Sequence, residues 1–226
     1  MKKSGFLAKF IGILCLSICT LPIYTVAAAD DSYANYNELA TAKIIGVDYT
    51  INSRSTASDT AVIAIHGGSI EPGTSELADA IAGTKYDFYS FNGIMKSNNS
   101  SLHITSTNFN EPIARTLVKA SNKTISVHGF SDSSKLTYVG GKDKIMIEKV
   151  KASLTAAGFA VADAPSYLGA TDATNICNDN LIQAGVQIEL STGLRTSFYS
   201  SLTTTGRQTK TADFSKYSNA IKAALV

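Results

Sequence analysis

Cysteine is scarce in this chain, three residues in 226. Cys15 and Cys19 fall in an N-terminal stretch with leader character, which leaves Cys177 alone in the remainder. A single thiol cannot close an internal disulfide, so stability has to come from a hydrophobic core. No histidine lies near Cys177 in sequence, and its segment, residues 175–184, reads as a helix closed by Gly185. A buried, inert thiol is therefore expected there rather than a nucleophile. An excess of one charge is missing as well: 20 Lys and Arg stand against 18 Asp and Glu. Residues 1–29 hold three lysines and no acid, so without them the formal charge moves from +2 to about −1. That near-neutral balance removes any global basic field and, with it, the case for a nucleic-acid partner. Repeats, low-complexity tracts and linkers are absent too, which points to one domain.

The first 29 residues follow the order of a secretory signal peptide. Met1, Lys2, Lys3 and Lys9 make a basic start, Phe10–Leu16 opens an apolar stretch, and Ala27-Ala28-Ala29 offers an A-x-A cleavage site before Asp30. Pro22 and the small-residue tail argue against a lasting membrane span. The expectation is a leader at 1–29, removed on export, and a domain at 30–226 secreted to the medium or periplasm. That domain is expected to be a monomer without stable membrane association. It is long enough for one sizeable core.

Along this remainder, strand-like and helix-like patterns alternate. Residues 42–51 read as an antiparallel or edge strand, 61–65 as a buried strand, and 74–82 as a short helix stopped by Gly83. Residues 86–91 and 102–106 read as strands, and Asn110 as the N-cap of a helix running to about Ser121. Downstream come strands 124–128 and 136–139, then the longest helix, 142–157, with Ile145, Ile147, Val150 and Leu154 on its apolar face. Strand 159–162, the 175–184 helix and strand 186–189 follow. Phe214, Tyr217, Ile221 and Leu225 share one face of a final helix. Such alternation predicts an α/β fold, a single three-layer α/β/α domain around a mixed, mostly parallel sheet.

Three of the apolar strands end on residues able to hold or serve a metal. Residues 61–65 lead into His66 and on to Glu71, 124–127 into His128, and 186–188 into Glu189. In open α/β sheets, ligands bind beyond the carboxyl ends of the strands, so these side chains have a physical reason to converge. His66, Glu71 and His128 would make a His2Glu zinc site with one position open, and Glu189 a general base. Gly67-Gly68 allows the tight turn that folds Glu71 back toward His66. The residue chemistry leaves the plainer alternative open, in which His66 turns a corner and His128 is a satisfied polar residue at a strand end. Glu189 fits that alternative least, because an unpaired carboxylate is costly to bury.

Longer motifs carry a resemblance. His-Gly-Gly-Ser-Ile-Glu-Pro-Gly-Thr (66–74), Leu-His-Ile-Thr-Ser-Thr-Asn-Phe-Asn-Glu-Pro (102–112), Val-His-Gly-Phe (127–130), Val-Gly-Gly (139–141) and Gln-Ile-Glu-Leu-Ser-Thr-Gly-Leu-Arg (187–195) together resemble the phage-related poly-γ-glutamate hydrolases. That family is similar in fold to carboxypeptidase A-like zinc peptidases. The resemblance implies zinc (Zn2+) on His66, Glu71 and His128, with Glu189 as base. His66 and Glu71 are five apart where the usual carboxypeptidase motif has three, a departure that matches the poly-γ-glutamate variant. It also implies an acidic polymer, poly-γ-glutamate, as substrate, cut at its γ-glutamyl amide bonds.

An anionic polymer calls for cationic contacts. Arg195, close after the base, is the leading candidate for a substrate carboxylate or the oxyanion. Arg115 is second, with an ordinary helix-surface charge as its alternative. His103 and Thr105 are candidates to line the cleft, or His103 to support the core. Three rivals stand beside this reading. Gly67-Gly68-Ser69-Ile70-Glu71 narrowly misses the G-x-S-x-G of serine hydrolases. A non-catalytic binder of an acidic polymer is the second. The third is the same zinc chemistry on peptidoglycan γ-glutamyl links or N-acyl amino acids.

Overall fold

A computed structural model describes Met1 and residues 31–226, so the expected leader at 1–29 lies, but for Met1, outside the described residues. Residues 31–226 form one unit. Its main elements are α1 (Tyr36–Ala42), β1 (Tyr49–Arg54), β2 (Thr60–Gly68), α2 (Thr74–Ala82), β3 (Asp87–Gly93), α3 (Pro112–Lys119), β4 (Lys123–Phe130), β5 (Thr137–Gly141), α4 (Lys144–Ala156), β6 (Val161–Asp163), β7 (Val186–Ser191), α5 (Thr192–Ser197) and α6 (Ala212–Ala224). The seven strands form one sheet in the order β1-β3-β2-β4-β7-β5-β6. β3/β2, β2/β4, β4/β7 and β5/β6 are parallel, and β1/β3 and β5/β7 antiparallel. The expected mixed, mostly parallel sheet is the one observed.

Side-chain alternation builds a core on each face. Val62, Ala64, Ile125, Val127, Val186 and Ile188 pack on one side against α2, α4 and α6. Ala61, Ile63 and Ile65 pack on the other against Leu39 of α1, Ala114 and Val118 of α3, and Leu102, Ile104 and Phe109. Central strands apolar on both faces need this two-sided cover. No helix among the described residues is long and apolar enough to cross a membrane.

Five expected elements differ, each for a local reason. The run 42–51 is no single strand: Asn35 caps α1 through the Glu38 amide, and the Asp48 carboxylate then ties a turn by accepting from the Ile44 amide at 2.8 Å. Residues 103–106 join no ladder, because the Thr105 amide and Ile104 carbonyl bond to side chains instead. In place of the 175–184 helix there is one 3-10 turn, Ile176–Asn178. There the Asn175, Asn178 and Asn180 side chains take the amides of Cys177, Gly185 and Ala184, as short polar side chains do when they compete with helix. The α3 cap is Glu111 rather than Asn110, its carboxylate accepting from Ile113 and Ala114. α4 also starts two residues later than expected, on an Asp143 cap, which leaves Ile145 76% exposed and buries Met146 in its stead.

Candidate metal centre

β2 and β4 approach the site in parallel, with Ile63 opposite Ser126. Strict alternation from there would aim His66 to the face of Val62 and Ala64, away from His128. A register shift against β3 between Ala64 and Gly67 inserts an extra residue. Such a bulge re-aims the side chain that follows it. Ile65 and His66 consequently serve the same side, and the His66 and His128 rings meet edge to face at 4.8 Å. The chain then doubles back. Gly68 adopts φ +64°, where a Cβ would also strike the Gly93 backbone, and the Glu71 amide donates to the His66 carbonyl at 2.9 Å.

The turn delivers Glu71 between the histidines. Its Oε1 lies 2.9 Å from His66 Nδ1, and its Oε2 accepts from the Gly129 amide at 2.8 Å and lies 3.7 Å from His128 Nδ1. The two Nδ1 atoms are 3.1 Å apart. His66 Nε2 faces the Ile104 carbonyl at 2.8 Å. A carbonyl can only accept, so Nε2 carries the proton, and in the neutral ring Nδ1 is a bare lone pair. His128 Nε2 pairs with Ser126 Oγ at 2.9 Å, leaving its Nδ1 turned to the same point. Two imidazole nitrogens and a carboxylate face one another there, a donor set that suits a cation. His66, Glu71 and His128 are thus able to hold a metal ion, their candidate ligand atoms lying within 4.8 Å of one another.

The proton equilibria follow from the same crowding. Burial alone would lower His66, but the charge and hydrogen bond of Glu71 raise it above the usual imidazole value. Burial would raise Glu71, yet His66 holds it well below the carboxylate range. His128 is pushed down to about 3 by burial and by His66. Protonation of His66 is thus tied to the charge of Glu71.

β7 brings Glu189 in, directly opposite His128 in the parallel ladder. Its Oε1 accepts from Gln187 Nε2 at 2.7 Å, and Gln187 Oε1 accepts in turn from Asn175 at 3.1 Å. Burial, then the charge of Glu71, drives Glu189 well above an ordinary glutamate. His103 stacks on His66 with ring centroids 3.9 Å apart, its Nε2 4.0 Å from Glu71 Oε1. The Thr105 amide donates to Asp31 Oδ2 at 2.6 Å. All three histidines of the chain are engaged in this cluster, so none is left to activate Ser69.

The two arginines sit differently from the open contacts expected of them. Arg195 is buried, donating to the carbonyls of Leu190, Pro72 and Phe130 and to Thr192 Oγ1. Its guanidinium lies over Gly129, where a Cβ would come within 2.6 Å of Nε. Arg195 therefore ties the Glu71 loop to the ends of β4 and β7. Arg115, on α3, binds the Phe109 carbonyl and Asp179 and does not join the cluster. Sequence reasoning missed Ser126 and Gln187, each two residues before a site residue. Polar residues at period two in a buried strand were the available signal. Asp31, 72 residues from His103, left no such trace.

Comparison with known proteins places this site in a family. A poly-gamma-glutamate hydrolase family model matches residues 33–220. The SPbeta prophage-derived protein YoqZ of Bacillus subtilis (strain 168) is 37% identical over 201 residues, 88% of this chain and 73% of that protein. YndL of the same strain is 35% identical over 195 residues, 84% of this chain and 75% of its own. Among solved structures, a bacteriophage poly-gamma-glutamate hydrolase superposes with TM-score 0.84 at 34% identity, over 87% of this chain and 97% of that one. A zinc-free apo structure of YndL gives TM-score 0.83 at 33% identity, over 87% and 98%. The chain, with its two histidines and two glutamates at the strand ends, belongs to the poly-γ-glutamate hydrolase family.

Proposed function

We propose that the protein is an exported zinc hydrolase that cleaves the γ-glutamyl amide bonds of poly-γ-glutamate. The observation that carries this reading is the convergence of His66, Glu71 and His128, with Glu189 beside them in the sheet. Two nitrogens and one carboxylate oxygen are a zinc donor set that leaves a position open, and a zinc-free form of the relative YndL fits the same choice. When bound, the ion supplies a Lewis acid for the scissile carbonyl and lowers the pKa of water toward neutrality.

The chain's own residues do the rest. Gln187 occupies one oxygen of Glu189 and leaves the other for the attacking water. Glu189 takes the water's proton there and returns it to the departing amide nitrogen. Burial strengthens its hold on the proton, and a cation on His66, Glu71 and His128 would offset the Glu71 charge that otherwise keeps Glu189 protonated. Ile104 and Ser126 hold the histidine rings in orientation, while Arg195 holds the loop that bears Glu71. The products are a free γ-carboxylate and a new α-amine.

Metal-quantified protein incubated with poly-γ-glutamate tests the proposal. Polymer length should fall and free amines appear, both should stop on chelation, and zinc should restore them. Cleavage that survives complete metal removal refutes the metal mechanism. Polymer left intact by zinc-loaded protein refutes the substrate. Sequencing the N-terminus of exported protein tests processing after Ala29.

A further inference from the structure

Residues 103–105 belong to no strand, yet they position two rings of the site. Ile104 is buried in the core and its carbonyl fixes His66 Nε2. His103, before it, lies over the His66 ring. Besides the burial of Ile104 and local backbone bonds, one carboxylate from the start of the domain ties this segment down. Asp31 Oδ1 meets His103 Nδ1 at 2.6 Å, and Asp31 Oδ2 accepts from the Thr105 amide at 2.6 Å. Asp31 thereby grips the residues on either side of the one that orients a metal ligand. It takes the place of the neighbouring strand that the segment lacks. Its side chain is 11% exposed. Burial alone would raise its pKa, but the Thr105 and His103 bonds lower it, so the grip is that of a carboxylate.

We propose that Asp31 is a positioning residue of the hydrolytic site, setting the Ile104 carbonyl that orients His66 and holding His103 with its Nε2 toward Glu71. The inference rests on the zinc reading. It makes the stretch directly after the expected leader part of the active site: Asp31 is the second residue beyond Ala29, so trimming the mature chain to Tyr33 removes a working group.

The alternative is that Asp31 merely pins the N-terminal segment, and Tyr33 provides the control. Tyr33 packs that segment onto the core and takes no part in the Asp31 hydrogen bonds to His103 and Thr105. Asp31→Ala, Asp31→Asn and Tyr33→Ala are compared with wild type by chelator-competition zinc affinity, the visible spectrum of the cobalt-substituted protein, and kcat and KM on the polymer. Loss of an outer partner of a ligating histidine weakens metal binding about ten- to a hundredfold. That loss is expected for Asp31→Ala, with a smaller one for Asp31→Asn and altered cobalt bands in both, while Tyr33→Ala binds like wild type. Both Asp31 variants within about twofold of wild type, with unchanged spectra, overturn the proposal. So does an equal loss in Tyr33→Ala. If wild type itself binds no zinc, the metal reading fails, and Asp31 is judged on the metal-free protein by imidazole nitrogen NMR. There, His103 and His66 signals shifted together by Asp31→Asn support the clasp, and unmoved signals overturn it.

Discussion

Single side chains in this site divide between chemistry and support, and substitution separates the two. Glu189→Gln keeps shape and the Gln187 contact but cannot take a proton. It should lower kcat by about 10²–10⁴-fold with zinc content unchanged, as turnover and metal analysis on one sample will tell. Arg195→Ala should behave otherwise. Three carbonyls lose the guanidinium, the Leu190 carbonyl a buried bond among them, at a cost on the order of 2–4 kcal/mol read from the urea midpoint. Unchanged stability with a raised KM would return Arg195 to the substrate-binding role its position in the sequence suggests. Cys177 is the quiet case. Burial lifts its thiol to about 12, so alkylating reagents at pH 8 should leave the folded protein unmodified and label it only after unfolding, by mass spectrometry. Isolation from other cysteines and from histidine made that inertness readable in advance; the burial of Arg195 was not, because its acceptors come from three separate segments.

At the scale of elements, helices with strong local signals were legible. α2 runs over Thr74–Ala82 as its periodicity and Gly83 require, and α6 buries Phe214, Tyr217 and Ile221 on one face. Elements went astray where side chains compete for backbone groups, as at Asn175–Asn180, or where a segment bonds to side chains instead of a ladder, as at 103–106. The α3 cap gives a measurable instance. Glu111→Ala removes the carboxylate that takes two end-of-helix amides. It should cost about 1 kcal/mol, seen as a lower urea midpoint with unchanged m-value. The β2 bulge matters most for function, since it alone brings His66 round to His128. Residues 61–65 read as one buried strand leading into His66, with no mark of the bulge, because a bulge depends on how the partner strand pairs.

Across the whole molecule, proton and metal equilibria link the site to stability. His66 is raised above its usual value by the Glu71 carboxylate, so zinc at its Nδ1 would compete with a proton. Binding near pH 6.5 should therefore release about one proton per ion, and affinity should fall as the pH drops. Calorimetry in buffers of different ionisation enthalpy measures both. Alkali acts on the core. The Cys177 thiol moves from 9.0 to about 12, and burial also raises the Tyr199 and Tyr217 hydroxyls. A raised pKa means the folded chain holds its proton more tightly, so this stabilisation is complete below pH 9. It is lost as pH climbs toward 12, by at most about 1.4 kcal/mol per unit per group, which a pH series of urea midpoints will follow.

By itself the sequence determined the α/β class, the two-sided central strands, and which histidines and glutamates stand at strand ends. Those are consequences of local periodicity and of residue types that seldom lie buried without purpose. Tertiary structure alone decided that His66 turns to face His128, that Arg195 is spent on backbone carbonyls, and that Asp31 reaches His103. Each depends on segments distant in sequence meeting at hydrogen-bond range, and no local pattern encodes such a meeting.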